Sequence, residues 1–187
     1  DADFRFGSPV VPPMVYRAFE SENLESLEFG LKSDFFNGKA RANIAVFSYD
    51  YENLQFQATD PDPYRGGVAN IPNSEMDGVE IEFTALLGDS ITFDMNLGFI
   101  DTEVTSEYEV LDNVLAYQYF FTEEQERYNL REDVIGNMLA KTPEFTADAT
   151  LTYEGELASG NPINVILQFI RRGEFMQRVS NNPFVDT

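Results

Sequence analysis

The chain of 187 residues contains no cysteine and no histidine. Without cysteine it has neither a disulfide framework nor a thiolate metal site. Without histidine it lacks the commonest general base and the commonest zinc ligand. Both absences count against metal chemistry and acid–base catalysis, so we predict no cofactor, no metal site and no enzymatic activity.

Basic residues are scarce as well, since 12 Lys and Arg stand against 33 Asp and Glu and leave a net charge of −21. A field of that sign repels phosphate backbones, which disfavours nucleic-acid binding. The acidity serves either the solubility of exposed loops or the recruitment of cationic ligands, and the composition leaves both open. Apolar residues make up 43% of the chain, a share near the globular average, which argues against wholesale disorder.

Long hydrophobic runs are also missing. No stretch approaches the roughly 18 apolar residues that a transmembrane helix requires, which excludes a helical membrane protein. A membrane β-barrel stays possible, because its strands show only alternation. The N-terminus, Asp1-Ala2-Asp3-Phe4, has neither an initiator Met nor a signal sequence. Either a leader has been removed or the chain begins inside a larger protein.

Apolar and polar residues alternate with a period of two in several segments, which predicts β-strands. The pair Asn37-Gly38 predicts a hairpin, because both central positions of a type I′ turn need positive φ. Gly88-Asp89-Ser90 connects the clearest hairpin of the chain. We predict six full strands and a partial seventh at Asp3–Gly7. The alternating segments of the six are Ser26–Lys32, Lys39–Phe56, Val79–Leu87, Ile91–Phe99, Phe145–Tyr153 and Ile163–Phe169.

The connections between these strands are alternately short and long. A stretch rich in Pro, Gly and Asp, Ala58 to Ser74, is predicted as loop. A longer insertion runs from Val104 to Pro143, and its part from Thr122 to Ala140 is a candidate helix with Thr122 as N-cap. The apolar residues of the second strand shift from even to odd positions at Phe47, Tyr49 and Tyr51 and return to even positions at Leu54 and Phe56. This change of phase predicts either a bulge or a change of environment.

Short turns, long loops and strands of about ten residues are typical of an outer-membrane β-barrel. In lipid every backbone group must pair within the sheet, while side chains face lipid and lumen in turn. A soluble β-sandwich alternates too, and the alternative is therefore an extracellular ligand-binding module of the carbohydrate type. Single-chain barrels start at about eight strands. We therefore predict an all-β, antiparallel, up-and-down section of a larger transmembrane barrel.

Several residues resemble a known family. The segment Glu20 to Gln55 contains an E-x-G-x-K strand, a turn with Gly and an aromatic-rich strand end, and Gly78, Glu80 and Glu82 follow as G-x-E-x-E. This pattern resembles the barrel of TonB-dependent receptors. The matching positions of the first segment are Glu28, Gly30, Lys32, Gly38, Phe47, Asp50, Tyr51, Leu54 and Gln55.

The resemblance implies a receptor of the bacterial outer membrane that takes up a scarce, bulky nutrient such as a ferric siderophore, a cobalamin or a glycan. The implied partners are outer-membrane lipid, the transported small ligand and the TonB complex. The TonB complex would act through an N-terminal region missing here. Residues 1–187 would then form a partial receptor barrel without its plug domain.

A run of aromatic residues ends the regular part of the second strand. Phe47, Tyr49 and Tyr51 are predicted to form part of an aromatic girdle at the membrane interface. Packing in a sandwich core would produce the same residues. Glu80 and Glu82 are spaced for one face of a strand, where they line a wet barrel wall or, in a hydrolase, act as acid and base.

The long insertion carries a second aromatic group. Tyr117, Tyr119 and Phe120 either contact the transported ligand or pack the loop against its neighbours. We name these three residues as candidate ligand-binding residues.

Overall fold

The computed structural model describes residues 19–59, 66–112 and 131–182. Within these ranges the strands are β1 Asn23–Phe35, β2 Ala40–Thr59, β3 Gly66–Leu86, β4 Ile91–Val104, β5 Glu109–Leu111, β6 Arg131–Asp133, β7 Phe145–Glu156 and β8 Pro162–Arg172. One six-stranded antiparallel sheet has the order β1-β2-β3-β4-β7-β8, and β5 pairs with β6 in a second sheet. In the described ranges we find no helix with the length and apolarity needed to span a membrane.

The register gives the six-stranded sheet one apolar and one polar face. Directly opposed residues of antiparallel strands point to the same face. Phe29, Val46, Val79 and Phe99 are opposed in turn and form one row of the apolar face. Other members of that face are Leu27, Leu31, Ile44, Ile81, Phe83, Phe93, Met95, Leu97, Phe145, Leu151, Val165, Leu167 and Phe169.

This apolar face contradicts the β-sandwich alternative. In a sandwich the apolar face packs against a second sheet, whereas Leu27, Phe29 and Leu167 are largely exposed. Among the described residues, the other sheet is β5–β6, which packs at the end of β2 and β3 instead. The predicted all-β, antiparallel, up-and-down arrangement is confirmed.

The two ends of the sheet differ. The hairpins β1–β2, β3–β4 and β7–β8 close at the same end, which we call the turn end. At the opposite, loop end, β2 and β3 reach 20 and 21 residues. The loop predicted from Ala58 to Ser74 is therefore wrong at Ala58 and Thr59 and from Gly66 onward, because these residues are paired strand. Residues 60–65 lie outside the described residues. Cross-strand pairing overrides a composition typical of loops.

Asn53 interrupts the regular pairing of β2 with β3. Its φ is 59°, a left-handed conformation that Asn adopts more readily than most residues. Glu52 pairs with Asn73 and Leu54 with Ile71, so neither strand gains a residue across the break. Beyond it, Leu54 and Ile71 belong to a buried core at the loop end. The irregularity is thus a paired break in both strands and not an inserted residue.

The core at the loop end joins distant parts of the chain. Its buried members are Ile71, Val104, Val110, Val134, Leu139 and Val179. Backbone hydrogen bonds reinforce it: the N–H of Val104 donates to Asn137 O and the N–H of Gly136 donates to Val104 O, each at 2.9 Å. The described parts of the connection from β4 to β7 are therefore packed against the sheet.

The candidate helix is wrong over its described part. Arg131–Asp133 forms β6, which pairs with β5, and the N–H of Val134 donates to Tyr108 O at 3.0 Å. Val134 and Leu139 are buried in the core, and this tertiary packing overrides helix propensity. Residues 122–130 lie outside the described residues.

Candidate functional site on the polar face of the sheet

Cross-strand hydrogen bonds line the polar face near the turn end. Each joins a carboxylate to a donor directly opposite it in the neighbouring strand. The pairs, donor first, are Arg41 Nε–Asp34 Oδ1 at 2.8 Å, Asn43 Nδ2–Glu82 Oε2 at 2.9 Å, Thr84 Oγ1–Asp94 Oδ1 at 2.8 Å and Asn96 Nδ2–Asp148 Oδ2 at 2.8 Å. Three of these donors are neutral, so the wall is ordered by hydrogen bonds and keeps most of its negative charge.

Glu80 and Glu82 both lie on this polar wall. Glu82 accepts the hydrogen bond from Asn43. Glu80 is exposed and is directly opposed by Ala45 and Gly98, whose small side chains leave open space around its carboxylate. In the described ranges, no group of three or more acidic side chains is arranged to hold a metal ion.

The register places Phe47, Tyr49 and Tyr51 on the polar face. Because side chains alternate along β2, these three share the face of Asn43 and not that of Val46. The rings of Phe47 and Tyr49 are stacked, with centroids 4.8 Å apart and an interplanar angle of 26°. A girdle residue points toward lipid, so the register argues against a girdle at these three positions.

Gly78 gives the ring of Phe47 its position. The two residues are directly opposed in β2 and β3, and a Cβ on Gly78 would lie 2.2 Å from Cζ of Phe47. Only glycine therefore allows the ring to lie across the neighbouring strand. Sequence reasoning missed this role, although a glycine inside an alternating strand is the signal for a close approach.

Polar contacts hold the segments above the loop end together. The Oγ1 of Thr102 accepts the N–H of Leu139 at 3.0 Å, and the Nδ2 of Asn137 donates to Val179 O at 2.9 Å. Asn182 donates to Asp112, and both are buried. The described parts of the insertion between β4 and β7 and of the segment after β8 are thus in contact with each other.

The second aromatic group belongs to the same insertion. Tyr117, Tyr119 and Phe120 lie outside the described residues, and their role as ligand contacts stays a prediction. The described strands that flank them in the chain are β5, Glu109–Leu111, and β6, Arg131–Asp133. Val110 of β5 belongs to the core at the loop end, so the segment starts from that end of the sheet.

The chain is similar to a known protein family and to proteins of known structure. Residues 4–186 match the family described as TonB dependent receptor-like, beta-barrel. The siderophore receptor PiuA from Acinetobacter baumannii is similar with a TM-score of 0.58 and 19% identity over 85% of this chain. The ferric yersiniabactin uptake receptor FyuA from Yersinia pestis gives a TM-score of 0.58 and 16% identity over 85% of this chain. This chain covers 20% of each of those receptor chains.

Proposed function

The chain belongs to the family of TonB-dependent receptor-like β-barrels, and on that basis we propose that it supplies wall and loops to a receptor that imports a bulky nutrient. The family is one of outer-membrane receptors of Gram-negative bacteria, and it is not a family of enzymes. The apolar face accordingly contacts lipid, and the polar face with its hydrogen-bonded carboxylates lines the lumen.

We propose that residues 1–187 are one section of a larger barrel. Among the described strands, β1 and β8 form the two edges of the six-stranded sheet, and their outer backbone N–H and C=O groups need partners in lipid. Further strands of the same protein would satisfy both edges and close the sheet. The plug domain and the region that contacts the TonB complex would lie outside this section.

A ferric siderophore is the ligand class that we favour. One similar structure is that of a siderophore receptor and the other that of a ferric yersiniabactin uptake receptor, although at this identity their likeness concerns the fold. Cobalamin and glycans are the other nutrient classes that the family suggests. Uptake would be driven through the TonB complex, with an energised inner membrane as the source of work.

We propose Tyr117, Tyr119 and Phe120 as ligand contacts, with Tyr49 and Tyr51 as a second aromatic surface deeper on the lumen side. Support for the first group is its position in the chain between β5 and β6 at the loop end. Support for the second is that both tyrosines lie on the polar face and are only half-buried. This assignment replaces the girdle role for the tyrosines of β2.

Uptake by whole cells tests the ligand class. Cells that carry or lack the gene for the full receptor would be grown under iron limitation and supplied with labelled ferric siderophores, cobalamin or an oligosaccharide. We expect accumulation of a ferric siderophore that requires the gene and stops when the proton gradient is collapsed. Gene-dependent uptake of cobalamin or oligosaccharide alone would contradict the siderophore assignment.

Alanine substitution tests the contacts. Combined replacement of Tyr117, Tyr119 and Phe120 should weaken ligand binding about tenfold or more, because aromatic contacts often dominate binding energy. The matched control is Tyr153→Ala, which removes a tyrosine from the lipid-facing side near the turn end. Equal affinity of the triple variant and the control variant would rule out these contacts.

A further inference from the structure

Exposed apolar side chains continue to the last residue pair of the hairpins at the turn end. Phe35 is the last residue of β1. The N–H of Leu87 donates to Ile91 O at 2.7 Å, and the N–H of Leu157 donates to Asn161 O at 2.8 Å, so these leucines close the other two hairpins. Phe35, Leu87 and Leu157 are all exposed, and all continue the apolar face in register.

Phe36 extends this apolar edge beyond the strands. It is 80% exposed, the highest value among the large hydrophobic residues of the described ranges. It begins a turn in which Phe36, Asn37 and Gly38 have φ values of 53°, 58° and 81°. A bulky residue rarely adopts this conformation, and turn tips are ordinarily occupied by polar or small residues. An exposed, strained phenylalanine at a turn tip points to an apolar partner.

We propose that Phe36, together with Phe35, Leu87 and Leu157, inserts into the inner leaflet of the outer membrane and anchors the turn end at the periplasmic interface. The argument for lipid is continuity, because these side chains prolong the face that already contacts the membrane. Short turns lie on the periplasmic side of such barrels. This inference rests on the membrane location of the sheet and is independent of the transported ligand.

The distribution of these residues favours a leaflet over a protein partner. They belong to the first, the second and the last hairpin and so extend along the whole width of the six-stranded sheet. With neighbouring strands about 5 Å apart, that width is about 24 Å. A lipid leaflet surrounds the barrel and can contact all of these residues along the width of the sheet. A stable protein interface is instead a compact patch of roughly 800 Å² per partner.

The absence of tryptophan from the chain allows a direct test. The substitution Phe36→Trp would be made in the full-length receptor, which is then reconstituted in liposomes of phosphatidylcholine brominated close to the headgroup. The fluorescence of the parent protein is subtracted, so that the difference reports the introduced side chain. The control is Glu132→Trp, at an exposed position of β6, which packs beyond the loop end and is not part of the six-stranded sheet.

We expect the brominated lipid to quench the difference signal of Phe36→Trp and to leave that of Glu132→Trp unchanged. Iodide in the aqueous phase should quench Glu132→Trp and leave Phe36→Trp unchanged. Quenching of Phe36→Trp by iodide and not by brominated lipid would place the turn in water and overturn the proposal. Protection from both quenchers would mean that protein covers the turn, which also overturns it. Leu87→Trp repeats the measurement at a residue without positive φ, should Phe36→Trp fail to fold.

Discussion

Gly78→Ala tests how closely two strands of the lumen wall are packed. The added Cβ would lie 2.2, 2.6 and 2.8 Å from Cζ, Cε2 and Cε1 of Phe47, well inside van der Waals contact. The backbone of Gly78 is paired on both sides, with Phe47 and with Ile100, and has no room to withdraw. The ring must therefore move, and it loses its burial and its stacking on Tyr49.

The size of the effect follows from two opposing contributions. Phe47 is 7% exposed, and overpacking at such a site typically costs about 1–3 kcal/mol. Replacement of glycine by alanine in extended backbone reduces the entropy of the unfolded chain, which stabilises the protein by about 0.4–1 kcal/mol. We expect Gly78→Ala to lower the free energy of unfolding by about 1–2 kcal/mol.

Gly30→Ala is the matched control on the same face. A Cβ there has the backbone oxygen of Ile44 as its nearest neighbour, at 3.8 Å, which is an ordinary contact. This substitution has the same effect on the unfolded chain without the collision. We expect it to be neutral or to stabilise by up to about 1 kcal/mol.

The assay is equilibrium unfolding of the full-length receptor in urea, in lipid vesicles, followed by circular dichroism. A double-mutant cycle with Phe47→Ala isolates the contact. Once the ring is absent, Gly78→Ala should behave like Gly30→Ala. If Gly78→Ala costs the same free energy with and without the Phe47 ring, the packing argument is refuted.

Three further predictions use the same protein. Asn53→Val should lower the free energy of unfolding by about 1–2 kcal/mol, because a φ of 59° is costly for a β-branched residue. Asn53→Gly should be neutral, because glycine adopts this conformation freely. Equal urea midpoints for the two variants would contradict this prediction. Asp34→Asn should leave the urea midpoint almost unchanged, because both side chains of the pair with Arg41 are more than half exposed; a marked fall in the midpoint would argue against this. Leu139→Ala removes a side chain from the core at the loop end and should lower the free energy of unfolding by about 2–5 kcal/mol. It should also increase protease cleavage of the insertion between β4 and β7. Unchanged cleavage would count against a cooperative core.

Much of the fold was predictable from local patterns. The pairs that close the hairpins near Asn37-Gly38 and Gly88 follow from alternation and turn residues, and both Asn37 and Gly38 have the expected positive φ. The turn itself is longer than a two-residue turn, since Phe36 also has positive φ and the last opposed pair is Phe35 with Ala40. Residue type alone does not reveal that a bulky side chain will adopt this conformation.

The candidate site was less predictable, because it depends on contacts between residues distant in sequence. The hydrogen bond from Asn96 to Asp148 joins residues 52 positions apart. The position of Phe47 over Gly78 depends equally on the pairing of β2 with β3. Neither contact leaves a pattern within one strand beyond a polar residue or a glycine on the expected face.

By itself, the sequence determined the alternating parts of the six long strands, their up-and-down order and the existence of one apolar and one polar face, since a period of two is a local property of extended chain. The tertiary structure decided which face the aromatic run of β2 occupies, that Gly66–Ser74 is strand, and that Arg131–Asp133 pairs with β5 and is not helical. The reason is register: a shift of one residue exchanges the two faces, and only the partner strand specifies which alignment satisfies the backbone.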